Sequence, residues 1–240
     1  MSKLAFLVKN LFDYETVIPP PQNLPGNLHS IYLTDTTLNA DKALALGWNE
    51  AIVTRDFLDL ELKQQRRLAI GYINAYPGKF IHDADKFDIV FLSDSNIIRM
   101  FDEYRDFVNA CDIQNCLFVT SGYYQGHRDN IIAECAASLQ PRWHYFHESM
   151  KNRVQEYCEF FKQNSIDVNH VSVCSAKYFA WNLKHPSYTL LSTEFYQEQV
   201  IHQQGNIILS YLAQKYPQLI QEYKLVTCTN GAVAGHNYDG

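Results

Sequence analysis

No GxGxxG loop and no GxxxxGK[ST] loop occur in the sequence. A dinucleotide-binding dehydrogenase and a P-loop nucleotide hydrolase are therefore disfavoured, because both need such a backbone cradle for phosphate. The GxSxG elbow of an α/β-hydrolase is also missing. The six cysteines, Cys111, Cys116, Cys135, Cys158, Cys174 and Cys228, form no CxxC pair. The expectation is buried, reduced thiols rather than a zinc site. His144, His147 and Glu148 in "HYFHE" lack the H-E-x-x-H order and have no evident third ligand. There is no long basic run, and the net charge is −6, so capture of nucleic acid by charge is not expected. No apolar run is long enough to span a bilayer. The apolar part of "MSKLAFLVKN" is too short for a secretory signal, so the expected compartment is the cytoplasm. Repeats and low-complexity linkers are absent.

What is present is a well-folded composition: 47% hydrophobic and 14% aromatic residues, with 16 Tyr and 14 Phe. A length of 240 residues fits one large domain, read as 1–240 with no internal boundary. Short apolar runs at 4–8, 29–35, 50–54, 87–93 and 116–121 read as strands. Helical spacing covers 59–76, 98–110, 128–139 and 147–164. Residues 170–182 read as one or two strands, and 193–216 as a long helix broken near Gly205. "KLVTC" reads as the last strand, before a Gly-rich tail. Four prolines at 19–25 forbid regular structure there. Alternating strands and helices predict an α/β fold with a mostly parallel sheet, and continuous apolar strands suit a sheet covered on both faces.

In such sheets ligands gather at the carboxyl ends of the strands. Two of the strands end in acids, Asp35 and Asp94. In "SDSN" the carboxylate of Asp94 and the amide of Asn96 offer two hard oxygen ligands on one turn, which suits Mg²⁺ or Mn²⁺. Ser95 or Asn96 capping a following helix is the competing explanation. Asp35 likewise either meets a ligand or caps the segment after it. Of Arg66 and Arg67, adjacent on a helix, only one can face a phosphate with its fork of donors.

The ordered motifs "YLTD" (32–35), "GW" (47–48), "RR" (66–67), "FDIVFLSDSNI" (87–97) and "GHRDNIIAEC" (126–135) resemble a GT-A family. It is the glycosyltransferase-like domain of plant cell-wall polysaccharide proteins and bacterial capsule loci. The resemblance runs from about residue 31 to 211. It implies a GT-A-like, Rossmann-type sheet with a nucleotide-sugar half at about 1–125 and a helix-rich acceptor half at about 126–240. It also implies transfer of a sugar from a nucleotide diphosphate sugar to a glycan or glycolipid hydroxyl, in polysaccharide, capsule or lipopolysaccharide synthesis. Tyr32, Thr34, Asp35, Arg66, Asp94 and Ser95 would bind the nucleotide sugar. Asp94 and Asn96, with the late His236, would hold Mn²⁺ or Mg²⁺. A base is sought in Glu194 and Glu198, four apart on one helical face, with Asp129 and Glu134 as competitors. The chain departs from the family at "QQGN" (203–206), which lacks the family's late acid. Two alternatives remain open: a sugar nucleotidyltransferase, and an inactive nucleotide-sugar or glycan-binding module.

Overall fold

A computed structural model describes residues 3–12, 16–22, 24–57, 63–94, 104–121, 130–139 and 147–224. Seven strands form one sheet: β1 (Leu4–Asn10), β2 (Leu28–Thr34), β3 (Glu50–Val53), β4 (Ile89–Asp94), β5 (Leu117–Ser121), β6 (Cys174–Asn182) and β7 (Ile220–Lys224). Their order is β3-β2-β1-β4-β6-β5-β7. The first four strands in that order are parallel, β6 runs antiparallel to β4 and β5, and β7 is parallel to β5. The expected α/β fold with a mostly parallel sheet is therefore present. Among the described residues the last strand is Ile220–Lys224; residues 225–228 of the expected strand "KLVTC" lie outside them. The pattern IQEYK has only one fully buried residue, Ile220, so its apolar signal is weak. Backbone pairing with β5 supplies the strand that periodicity misses.

Helices cover both faces. On one face α2 (Lys63–Ala75), α5 (His147–Gln163), α6 (Tyr188–His202) and α7 (Gly205–Lys215) enclose Leu7, Val90, Leu92, Phe179 and Trp181. On the other, α1 (Thr37–Ala45) and α3 (Tyr104–Ala110) cover Phe6, Val8, Tyr32, Phe91 and Tyr178. Side chains alternate across a strand, so the unbroken apolar runs of β1 and β4 feed both cores. A further helix, α4 (Ile131–Ser138), is capped by Asn130, whose side chain accepts from the Ala133 N–H.

The late segment is rich in helix, yet it also contributes β6 and β7. β6 inserts between β4 and β5, so the two expected halves share one sheet. The predicted break near Gly205 falls at Gln203, which takes left-handed φ of 59° and separates α6 from α7. A glycine is needed next to it: a Cβ on Gly205 would lie 2.5 Å from the Ala176 Cβ of β6.

Candidate active site at the carboxyl edge

β1, β2, β3 and β4 all end on one edge of the sheet. From β1 the chain steps to β2 and β3 on one side, while β4 lies on the other. The crevice between the ends of β1 and β4 is thus the topological switch point, where ligands of open α/β sheets bind. Register pairs Lys9 of β1 with Asp94 of β4 there. Lys9 Nζ lies 2.7 Å from Asp94 Oδ1, the lysine side chain being 1% exposed and the aspartate's 34%. Asp94 is the lysine's ion-pair partner among the described residues.

One strand further, Asp35 follows β2. Its Oδ2 accepts the Phe12 N–H at 2.8 Å. Its Oδ1 is buried and accepts no hydrogen bond from the described residues. Asp35 is not a helix cap: Thr36 caps α1, its side chain accepting from the Asn39 N–H at 3.2 Å. Phe12 has φ of 65°, a strained conformation for an aromatic residue, and the Asp35 carboxylate holds it. Arg66 of α2 is drawn to the same edge, its guanidinium 5.1 Å from the Phe12 ring centroid. Asp35, Arg66 and Asp94 therefore lie toward the carboxyl edge.

Tyr32 and Thr34 lie in the last three residues of β2. Both are fully buried. The Tyr32 hydroxyl accepts from Asn10 Nδ2 at 2.8 Å and its ring packs on Trp48 at 5.1 Å. Strand alternation turns Tyr32 into the core, where it supports the end of β1 from beneath. Ser95, Asn96, Asp129, His144 and His236 lie outside the described residues. Among the described residues no group of three His, Cys, Asp or Glu side chains is placed to hold a metal ion.

Glu194 and Glu198 are engaged elsewhere, which corrects their reading as bases. Glu194 bonds Lys215 and Tyr216, at the end of α7 that leads toward β7. Glu198 is 2% exposed. Its Oε2 accepts from Arg153 Nε at 2.8 Å and from the Tyr157 hydroxyl at 2.5 Å, while Arg153 Nη2 binds Oε1. Burial pushes the Glu198 carboxyl up, but the hydrogen bonds from Arg153 and Tyr157 and the charge of Arg153 outweigh it and hold it below the usual range. A general base must be reachable by a substrate hydroxyl; Glu198 is buried among its partners, and Glu194 is held by Lys215 and Tyr216. Glu134 is also buried, with Asn206 Nδ2 3.2 Å from its Oε1.

The residue that sequence reading missed is Lys9. Its only signal is a lysine inside the run "LAFLVKN", where a two-residue period assigns it to the same face as Leu7. The five described cysteines are free thiols, and burial pushes Cys116 and Cys135 up to about 12. A cavity of about 520 Å³ opens at the opposite, amino edge, lined by Lys3, His29, Glu50, His82, Lys86 and Phe87 among others. It faces the starts of the strands, away from the switch point. None of the described helices is long and apolar enough to cross a membrane.

No protein-family model matches the chain, and no curated protein matches it. Solved structures are similar at low identity. The 4-diphosphocytidyl-2C-methyl-D-erythritol synthase of Anaerococcus prevotii is 7% identical, with a TM-score of 0.46 over 93% of this chain and 87% of that one. The CMP:2-keto-3-deoxy-manno-octonic acid synthetase complexed with CTP is 11% identical, with a TM-score of 0.45 over 97% and 93%. The WbbM bifunctional glycosyltransferase in its apo form is 10% identical, with a TM-score of 0.48. That match covers 92% of this chain and 39% of WbbM.

Proposed function

We propose that the protein transfers a sugar from a nucleotide diphosphate sugar to a glycan hydroxyl, using the carboxyl edge of β2, β1 and β4. The observation that carries this is the placement of two acids with open valences on one edge. Asp35 presents a buried, unused Oδ1 after β2, and Asp94 ends β4. β1 separates the two strands, and two strand spacings span about 10 Å. That distance suits a ligand whose ribose or base meets Asp35 while its diphosphate reaches Asp94. Arg66, over the ring of the Phe12 that Asp35 holds, supplies positive charge near this edge.

The Asp94 carboxylate fits a divalent cation. It is partly exposed and only Oδ1 is taken by Lys9. Mg²⁺ commonly needs one or two carboxylates, with substrate phosphates completing its shell. Asn96 and His236 are the further ligands we assign. When bound, the ion would neutralise charge on the departing diphosphate. The role in polysaccharide or capsule-type assembly rests on the sequence resemblance.

A panel of nucleotide sugars, screened by thermal shift with and without Mn²⁺, tests the reading. A ligand at 100 times its dissociation constant adds about 2.7 kcal/mol of stability. The expected result is Mn²⁺-dependent stabilisation by one donor, with slow release of nucleoside diphosphate. Asp94→Ala abolishes that stabilisation and, by leaving the buried Lys9 ammonium without its carboxylate, also lowers the ligand-free melting temperature. Unchanged metal dependence in Asp94→Ala would remove Asp94 from the site. Pyrophosphate release from a nucleoside triphosphate and a sugar would favour the nucleotidyltransferase, and binding without turnover the inactive module.

A further inference from the structure

Lys9 has no role in the metal-and-carboxylate reading, yet it stands at the switch point itself. A lysine ammonium has three donors and is strongly hydrated. Here it is buried, and its ion-pair partner among the described residues is a single carboxylate oxygen of Asp94. Burying a charge is costly, and replacing such a pair by apolar residues is often neutral or stabilising. The fold gains little from this lysine. Leu7 and Leu11, two residues to either side of it, are buried in the apolar core.

We propose that Lys9 is the phosphate-binding cation of the site, held in reserve by Asp94 until a ligand arrives. This rests on the function proposed above and deepens it. Asp94 can serve one cation fully at a time. When a divalent ion takes the carboxylate, the ammonium is released and turns to the diphosphate oxygens beside it. When no ion is present, the ion pair keeps both charges neutralised at the bottom of the crevice. The two partners are thus exchanged together: metal for lysine on Asp94, and phosphate for aspartate on Lys9. No bond to carbon or phosphorus is made or broken in this exchange.

The test uses Mn²⁺ alone and inorganic pyrophosphate as probes on the full chain, with binding read by calorimetry and by the electron paramagnetic resonance of free Mn²⁺. In the wild type each probe strengthens the binding of the other. Lys9→Met removes the competing cation. Mn²⁺ alone then binds about 10-fold more tightly, and pyrophosphate binds about 10- to 100-fold more weakly, the range for a charge-assisted hydrogen bond. Lys9→Arg keeps pyrophosphate binding. Asp94→Asn, measured in chelator, frees the lysine and tightens metal-free pyrophosphate binding about 10-fold. This second variant keeps the lysine and changes a partly exposed carboxylate, so it answers the question if Lys9→Met does not fold. Unchanged pyrophosphate affinity in Lys9→Met, or no gain in Asp94→Asn, overturns the proposal. Pyrophosphate binding through Lys9 without turnover of any nucleotide sugar would overturn the transferase reading and leave this one standing. Turnover with unaltered behaviour in both variants would do the reverse.

Discussion

At the scale of single residues, the most instructive group is the buried chain Arg153, Glu198, Tyr157 and His202. The Gln204 N–H donates to His202 Nδ1 at 3.2 Å, so the neutral ring carries its proton on Nε2. That proton points to the Tyr157 oxygen, 2.9 Å away, and the Tyr157 hydroxyl donates onward to Glu198. A second proton on Nδ1 would face the Gln204 N–H. Burial lowers the His202 pKa to about 4, with Glu198 opposing and Arg153 reinforcing the shift. The folded state therefore resists protonation that the unfolded chain accepts near 6.5. Stability is full above that value and is lost as pH falls through 6.5 toward 4, by up to about 3 kcal/mol. Glu198, whose carboxyl is held low, adds a further loss only at still lower pH. Urea unfolding between pH 7.5 and 4 should show the decline, and His202→Gln should flatten its upper part. A profile in His202→Gln as steep as that of the wild type would show that another group drives it.

At the scale of elements, the junction of α6 and α7 decides how closely the helices sit on the sheet. Gln199 of α6 packs against Gly71 of α2, where an added Cβ would lie 3.3 Å from it. Gly205 lets α7 begin directly against Ala176, and the Asn206 side chain then accepts the Ala176 N–H at 2.9 Å. The Ser210 hydroxyl similarly accepts the Cys174 N–H at 2.8 Å. These bonds tie α7 to the end of β6 that borders the carboxyl edge. Gly205→Ala should cost about 1–3 kcal/mol, the range for overpacking a tight contact. Chemical denaturation of Gly205→Ala, Ala176→Gly and the double variant measures it. The double variant should recover part of the loss, because the two residues touch.

At the scale of the whole molecule, the sheet has two edges with different contents. The carboxyl edge holds Lys9, Asp35 and Asp94, while the cavity of about 520 Å³ lies at the amino edge. Open volume and chemistry therefore point in opposite directions. We follow the chemistry, because the amino edge lacks a switch point and its exposed Lys86 is already paired with Asp83 at 2.5 Å. Exposed pairs of this kind contribute little. Lys86→Ala should leave nucleotide-sugar and pyrophosphate affinity within about twofold and the melting temperature nearly unchanged. A large loss of affinity in that variant would move the site to the other edge.

Much was legible before any coordinates, and the limits are physical. The runs of β1, β2 and β4 are apolar because both faces of the sheet are covered, so their existence, and the acids that end β2 and β4, followed from pattern alone. Asp35 and Asp94 could be named because a strand end is a local feature. The break after α6 was visible in Gly205. Whether Asp35 caps a helix, however, turned on Thr36 beside it and on Phe12 in the turn after β1. Glu198 carries the same helical spacing whether it meets a substrate or an arginine, and only the packing of α5 against α6 chose Arg153. Lys9 and Asp94 are far apart in the chain and adjacent in register, a relation that no local period contains. The chain's own pattern determined the class of fold and which strand ends carry acids, since burial imposes its period directly on neighbouring residues. Tertiary structure alone decided which charges meet, because strand order brings distant residues into one dielectric environment and sets what each must neutralise.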